Sequence, residues 1–258
     1  MTPRDATSEP PRLESGGQVA RIVLARPEQH NAIEAGDVSV LLDLLDAVEA
    51  DSGVRVLVVT GSGPATFCAG ASLGQLETGA MTAALFESLA DRLARLRLPT
   101  VCSMNGSAFG GGAELALCCD LRIGVHGSRV AVPAARLGLC YPVGGLRRYV
   151  EALGLGVATR LLVGAEDLDA EQMLVCGFVH RLVSPEELDA ATDALAGELA
   201  ALAPLAVQAM KRILRDLARG TIDEEGARRL VEACAASSDL REGLRARREG
   251  RPPEFRGA

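Results

Sequence analysis

The hydrophobic residues of the first half of the chain follow two different spacings. Residues 18–25 (QVARIVLA) partly alternate between polar and apolar and precede Arg-Pro, which predicts a strand that ends at a turn. In residues 34–50 the apolar side chains recur at three- and four-residue steps, the period of an amphipathic helix. Residues 54–60 (VRVLVVT) are almost all aliphatic and lead into Gly-Ser-Gly-Pro. That run is typical of a strand buried on both faces of a parallel sheet.

The alternation of strand and helix continues to about residue 125. The pattern predicts a helix over 81–96, a strand over 100–104, a helix over 111–119 and a strand over 121–125. Strands that alternate with helices imply right-handed crossovers around a mostly parallel sheet. The predicted fold class is therefore α/β.

Beyond about residue 150 the spacing is mainly helical. Helices are predicted near residues 156–163, 170–176, 185–202, 204–219 and 224–236. The basic segment 241–258 carries two consecutive prolines and is expected to be partly extended. We divide the chain into a flexible N-terminal tail (1–17), a core (18–200) and a helical C-terminal region (201–258).

Composition and charge exclude several classes of protein. The chain has 258 residues, enough for one large domain, and a formal net charge of -7, which disfavours nucleic acid as a partner. No apolar run reaches the roughly 18 residues that span a bilayer. Residues 1–17 lack the apolar stretch of a secretory signal, so we expect a cytoplasmic protein without a membrane partner. The cysteines and histidines lack the spacing of a metal site, and we predict no bound metal.

A glycine-rich turn stands between a predicted strand and a predicted helix. Asn105-Gly106 is followed by Gly110, Gly111 and Gly112, and Glu114 lies in the first turn of the helix. Backbone N–H groups at a helix N-terminus lack internal partners, so such a turn can hold an oxyanion beside a carboxylate. Alternatively, the glycines permit close packing and Glu114 only complements the helix dipole.

Several motifs, in order along nearly the whole chain, resemble the crotonase, or enoyl-CoA hydratase/isomerase, superfamily. They are ARPE (25–28) with Asn31-Ala32, FCAGA (67–71), residues 99–120 around the glycine turn, LG (137–138), GG (144–145), residues 170–183, PLA (204–206) with KR (211–212), and RPPEFRG (251–257). The resemblance implies a ββα-superhelix core with a helical C-terminal oligomerisation region. It also implies an acyl-CoA substrate, no cofactor beyond the coenzyme A of that substrate, and a homotrimer or dimer of trimers.

The resemblance also implies roles for individual residues. Two backbone N–H groups, those of Ala71 and Gly111, would hold the thioester oxygen, and Glu114 would be catalytic. The residues expected to border the substrate or coenzyme A are Ala25, Arg26, Asn31, Ala32, Ala69, Gly70, Gly110, Ala134 and Gly138. For those that follow the first strand, a structural role in a turn is an equal alternative.

The sequence departs from the family at one catalytic position. Hydratases of the family use two glutamates; Glu114 matches the first, but Ala134 stands where the second would be, and alanine cannot transfer a proton. Tyr141 resembles in position an active-site tyrosine of methylmalonyl-CoA decarboxylase, another crotonase, and is either catalytic or part of the pocket wall. Arg136 is either a partner for a substrate carboxylate or a surface residue.

Three functions remain open on this basis. The first is a hydratase or isomerase in which another group replaces the missing glutamate. The second is a decarboxylase of malonyl-type CoA esters, which needs an oxyanion hole more than paired carboxylates. The third is a crotonase homologue that binds acyl-CoA without catalysis.

Overall fold

A computed structural model describes residues 9–258. Ten strands and ten α-helices follow one another in this range. They are β1 (Arg12–Gly16), β2 (Val19–Leu24), α1 (Ala35–Ala50), β3 (Val56–Gly61), β4 (Thr66–Cys68), α2 (Leu73–Thr78), α3 (Ala83–Ala94), β5 (Thr100–Met104), β6 (Ser107–Phe109), α4 (Gly111–Cys118), β7 (Leu121–Val125), β8 (Arg129–Ala131), α5 (Val143–Leu162), β9 (Leu168–Asp169), α6 (Ala170–Val175), β10 (Arg181–Val183), α7 (Leu188–Ala200), α8 (Pro204–Arg219), α9 (Glu224–Ala236) and α10 (Ser238–Glu249).

The strands form two sheets. The larger has the order β1-β2-β3-β5-β7-β10, and all of its pairs are parallel except β1 with β2. The smaller has the order β4-β6-β8-β9. Every residue of β3 and of β5 is buried, as their aliphatic sequences predict. The predicted α/β class is confirmed.

The N-terminal boundary of the core differs from the prediction. Arg12–Gly16 forms an antiparallel edge strand on β2, so the prediction of a flexible tail is wrong for these residues. All but one of them are exposed, and an edge strand held mainly by backbone hydrogen bonds needs no apolar sequence pattern. Residues 1–8 lie outside the described residues.

Two helical segments also differ from the prediction. Helix α5 begins at Val143 and includes a break at Gly154 (φ 74°), whereas the periodicity indicated a helix only from 156. Helix α10 occupies the first half of segment 241–258, which was expected to be partly extended. Its polar sequence gives little apolar signal because two carboxylates bind it to the chain end. Asp239 accepts backbone N–H bonds from Arg256 and Gly257 at 2.8 and 2.9 Å, and Glu242 accepts one from Glu254 at 3.1 Å. Within segment 241–258, residues 250–258 form neither helix nor strand.

An ion-pair cluster joins the core to the C-terminal helices. Asp120, just before β7, accepts hydrogen bonds from the backbone and hydroxyl of Thr100, and pairs with Lys211 (2.7 Å) and Arg215 (2.8 Å) of α8. Burial by itself raises the pKa of the Asp120 carboxyl, but the two cations outweigh burial, and the pKa is lowered. The fold therefore gains stability from ionised Asp120.

Asp120→Asn is expected to lower the free energy of unfolding by about 3 kcal/mol at pH 7, because Lys211 and Arg215 lose their shared anion. The folded pKa lies below the unfolded value of about 3.9, so this stabilisation is present above that value and is lost as pH falls through the folded pKa. Urea denaturation at pH 7 and pH 3 checks both statements. Asp216→Asn is the control, since its pair with Arg212 is looser, at 3.7 Å. Equal losses of unfolding free energy in Asp120→Asn and Asp216→Asn would show that the Asp120 ion pairs add no special stability.

The C-terminal helices leave large apolar side chains at the surface. Met210, Leu214 and Leu217 of α8 and Val231 of α9 are all exposed. Within residues 9–258 no single helix is both long and apolar enough to cross a membrane; only two helices taken together across a 102° bend, Pro185–Ala200 and Pro204–Arg219, pass by length and composition.

Candidate active site

A cavity of about 680 Å³ brings together most of the predicted site residues. Two loops contribute Ala69 and Ala71, and Gly110 and Gly111. Glu114, Ala134 and Tyr141 line the same cavity from three further elements. Its walls are otherwise mainly apolar, which suits an acyl chain.

The glycines around the cavity allow two backbone segments to touch. A Cβ on Gly70 (φ 85°) would lie 2.6 Å from the nitrogen of Gly111. A Cβ on Gly112 would lie 2.0 Å from the carbonyl oxygen of Cys68. The glycines therefore do permit close packing, which was one of the two interpretations of the glycine turn. This packing places the start of α4 against the segment that contains Ala71.

The backbone N–H groups of Ala71 and Gly111 have no hydrogen-bond acceptor among residues 9–258. Ala71 pairs with Ile33 in a parallel bridge in which Ile33 N–H donates to Gly70 and Ser72 N–H donates to Ile33, so the N–H of Ala71 is not used. Gly111 is the first residue of α4, and its N–H has no intrahelical acceptor. Both residues line the cavity, as an oxyanion site requires.

Glu114 is buried in an ion-pair chain. Its Oε1 lies 2.5 Å from Nη1 of Arg148, whose other terminal nitrogen pairs with Asp91. Burial raises the pKa of Glu114, Arg148 lowers it, and the charges of Glu87 and Asp91 raise it; the pKa is raised on balance. Glu114 is thus a buried carboxyl whose pKa is set by opposing effects of burial and of neighbouring charges, as is common for groups that transfer protons.

Tyr141 lies against a second tyrosine. The rings of Tyr141 and Tyr149 meet edge to face, with centroids 6.1 Å apart, and the Tyr149 hydroxyl donates to the carbonyl of Gly110 at 3.4 Å. Burial and the charge of Glu114 raise the pKa of Tyr141. Its hydroxyl therefore stays protonated at neutral pH and can donate a hydrogen bond into the cavity.

Six residues that the resemblance placed at the substrate do not line the cavity. In the turn after β2, the side-chain amide of Asn31 donates to the carbonyls of Ser62 and Thr66 at 2.9 and 2.7 Å, and Arg26 pairs with Asp37. These contacts match the alternative role in a turn. The other four are Ala25, Ala32, Gly70 and Gly138. A role of these residues in binding coenzyme A stays a prediction.

Arg136 also lies away from the cavity lining. Its Nη2 donates to the backbone carbonyl of Ala165 at 2.6 Å. Gly138, which follows it at the end of the 3-10 turn Pro133–Leu137, has a left-handed φ of 70°. This loop therefore presents Ala134, not Arg136, to the cavity.

Two of the charged residues at the site, Arg148 and Glu87, were not expected from the sequence. Arg148 has 6% of its surface exposed, and it lies on the part of α5 that the periodicity did not predict. Glu87 lies on the predicted α3 helix beside buried Phe86, at the edge of the apolar face, and lines the cavity. The position of Glu87 beside the apolar face of α3 was a signal that it could be partly buried. Nothing in the sequence indicated that α5 would pack against it.

The chain is similar to known proteins over almost its whole length. Residues 14–258 match the model of the family described as enoyl-CoA hydratase/isomerase. The chain belongs to that family. A crotonyl-CoA hydratase of Syntrophomonas wolfei is 32% identical, covering 94% of this chain and 96% of that protein. A carnitinyl-CoA dehydratase of Proteus mirabilis is 33% identical, covering 95% and 97%. An enoyl-CoA hydratase structure from Bacillus anthracis superposes with a TM-score of 0.89 at 25% identity, covering 97% and 100%.

Membership of the enoyl-CoA hydratase/isomerase family confirms the resemblance and the crotonase fold. It makes the chain an acyl-CoA-processing enzyme of the hydratase/isomerase type. The alignment of family and chain extends through the C-terminal helices.

Proposed function

We propose that this protein adds water to, or removes it from, an acyl-CoA thioester across the C2–C3 bond, with the thioester oxygen bound by the N–H groups of Ala71 and Gly111. The single observation that carries the proposal is the convergence of two N–H groups without acceptors on a cavity that also contains the Glu114 carboxyl. The names of the relatives, which include a hydratase and a dehydratase, support the same reaction.

The chemistry follows from where charge develops. When the oxygen of water bonds to C3, the electrons of the C2–C3 double bond move toward the thioester oxygen, which becomes an enolate oxygen. Two N–H donors stabilise that anion more than the neutral carbonyl; loss of one such donor costs about 3 to 4 kcal/mol in other enzymes. The water that bonds to C3 loses one proton to a base or to solvent, and Glu114 gives a proton to C2, so that water adds as OH and H. In the reverse direction Glu114 receives its proton back. The overall reaction consumes only water, so it needs no cofactor beyond the coenzyme A of the substrate.

The remaining site residues keep lesser roles in this proposal. Ala134 forms apolar wall where many family members would place a carboxylate, and Tyr141 donates a hydrogen bond to the substrate or bounds its chain. Coenzyme A would leave the cavity along the turn that contains Arg26 and Asn31. The exposed apolar residues of α8 and α9 support association with further copies of the chain, and the family resemblance suggests a homotrimer or dimer of trimers.

The test uses crotonyl-CoA and longer 2-enoyl-CoAs, whose conjugated absorbance disappears on hydration. We expect turnover with at least one chain length. If purified protein removes the absorbance of none of them, and 3-hydroxyacyl-CoAs give no enoyl-CoA in the reverse assay, the hydratase proposal fails.

One observation favours a second candidate. With Ala134 in the cavity wall and the Tyr141 hydroxyl as a donor, the site also suits decarboxylation of a malonyl-type CoA ester, in which CO₂ leaves C2 and its bonding electrons form the same enolate. Release of CO₂ from methylmalonyl-CoA without hydration of any enoyl-CoA would select this reaction. Tight binding of acyl-CoA with neither activity would select a binding protein.

A further inference from the structure

Glu87 is a second carboxylate in the cavity, and it lies on a different element from position 134. Glu87 projects from the first turns of α3 and lines the cavity together with Glu114. Position 134, where family members place their second glutamate, lies in a separate 3-10 turn. The cavity therefore contains two carboxylates, Glu87 and Glu114, although position 134 is alanine.

Glu87 is held by the first turn of α5. Its Oε1 accepts a hydrogen bond from the backbone N–H of Gly144 at 3.2 Å. A Cβ on Gly144 would lie 2.3 Å from that same oxygen, so the carboxylate can take this place only because residue 144 is glycine. The positive end of the α5 dipole also favours an anion here. The other oxygen of Glu87 has no hydrogen-bond partner among residues 9–258.

The neighbouring glycine makes room for the other carboxylate in the same way. A Cβ on Gly145 would lie 3.2 Å from Oε1 of Glu114 and 3.0 Å from the ring of Tyr141. Two consecutive glycines of α5 thus each adjoin one carboxylate of the cavity. The charge of Glu87 contributes to the raised pKa of Glu114, which places the two groups within electrostatic reach of one another.

We propose that Glu87 is the second acid-base residue of this active site and takes over the task that the residue at position 134 cannot perform. The proposal rests on the hydratase function given above. In hydration, Glu87 accepts one proton of the water molecule as its oxygen bonds to C3. Glu114, in protonated form, gives its proton to C2 of the resulting enolate, and the thioester carbonyl re-forms.

The reaction is balanced over the two carboxyl groups. One water adds as OH at C3 and H at C2, while Glu87 gains a proton and Glu114 loses one. Return of the proton from Glu87 to Glu114 through solvent restores the starting state. Two neighbouring carboxyl groups that share acid and base work are a recurrent arrangement in enzymes.

A purely structural role for Glu87, as an anchor of the α5 N-terminus, makes a different prediction. Glu87→Gln keeps an amide oxygen that can accept the Gly144 N–H, so the anchor survives while the proton acceptor is lost. Glu77→Gln is the matched control, because Glu77 is an exposed carboxylate on α2 that does not line the cavity. Both variants change the net charge equally.

Two reactions separate the roles of the carboxylates. Hydration of crotonyl-CoA needs a proton acceptor for water, whereas exchange of the C2 protons of butyryl-CoA in D₂O, followed by mass spectrometry, needs only the group that serves C2. We expect Glu87→Gln to lower kcat for hydration about 10²-fold but to keep exchange within about threefold of wild type. Glu114→Gln should lose both activities, and Glu77→Gln neither.

Two outcomes for Glu87→Gln would overturn the proposal. Hydration within about threefold of wild type would show that Glu87 transfers no proton, while the hydratase function stands. Equal loss of hydration and exchange would assign Glu87 to the structure of the site instead. Wild-type protein that exchanges C2 protons but hydrates no enoyl-CoA would refute the hydratase function itself, and with it this role for Glu87.

Discussion

Glu114→Gln should lower kcat for hydration by about 10² to 10⁴-fold, with a much smaller change in affinity for the acyl-CoA. The expected loss is large because Glu114 lies three residues after Gly111 in α4 and lines the same cavity. Glutamine keeps an oxygen that can accept the hydrogen bond of Arg148, so the cavity should keep its shape. Steady-state kinetics with an enoyl-CoA substrate, together with the affinity for a saturated acyl-CoA, measure the two quantities separately.

The same variant should show a characteristic dependence of stability on pH. The folded pKa of Glu114 is raised above its usual value, so its stabilising contribution is complete below the unfolded pKa and is lost as pH rises through the folded pKa. The stability of wild type should therefore fall relative to that of Glu114→Gln as pH increases through this window. A constant difference between pH 4 and pH 8, or full activity of the variant, would contradict the place of Glu114 in the mechanism.

Arg148→Met should lower the free energy of unfolding by about 3 to 5 kcal/mol at a pH where Glu114 is ionised. The guanidinium pairs with Glu114 and with Asp91, and its removal leaves the buried Glu114 carboxylate without its cation. Asp91 is half-exposed and can be solvated, so the loss comes mainly from Glu114. Urea denaturation of the two proteins gives the difference directly.

The loss in Arg148→Met should depend on pH in a defined direction. Arg148 lowers the pKa of Glu114, so the variant must have a higher Glu114 pKa than wild type. Below that higher pKa, Glu114 is neutral and the deficit shrinks; above it the deficit is complete. Arg147→Met is the control, since Arg147 is the exposed neighbour on α5. If both variants unfold alike at pH 5 and pH 8, Arg148 does not stabilise the ionised Glu114.

The long elements of the core could be predicted from sequence because each has its own pattern. The aliphatic run of β3 and the three- and four-residue steps of α1 are local properties, and the structure places both within a few residues of the predicted bounds. The strands β4, β6, β8 and β9 have only two or three residues each. A segment that short carries no detectable period, so only its pairing within the sheet defines it.

The polar elements at both ends of the chain were missed for a related reason. Strand β1 and helix α10 bury few apolar side chains and are held by backbone hydrogen bonds or by carboxylates such as Asp239. Hydrophobic periodicity reports burial of apolar surface and nothing else. An element stabilised by other contacts therefore leaves no signal of that kind.

The sequence by itself determined the alternating core, the glycine turn with Glu114 at its helix, the family and the absence of a carboxylate at Ala134. Each of these is a property of residue identity or of spacing within one segment. The tertiary structure alone decided that Arg148 lies on Glu114 and that Glu87 enters the same cavity. The period of a helix fixes which residues share one of its faces, but side chains from α3, α4 and α5 meet only when the helices pack. For that reason the partner of Glu114 follows from the fold and not from the spacing of any motif.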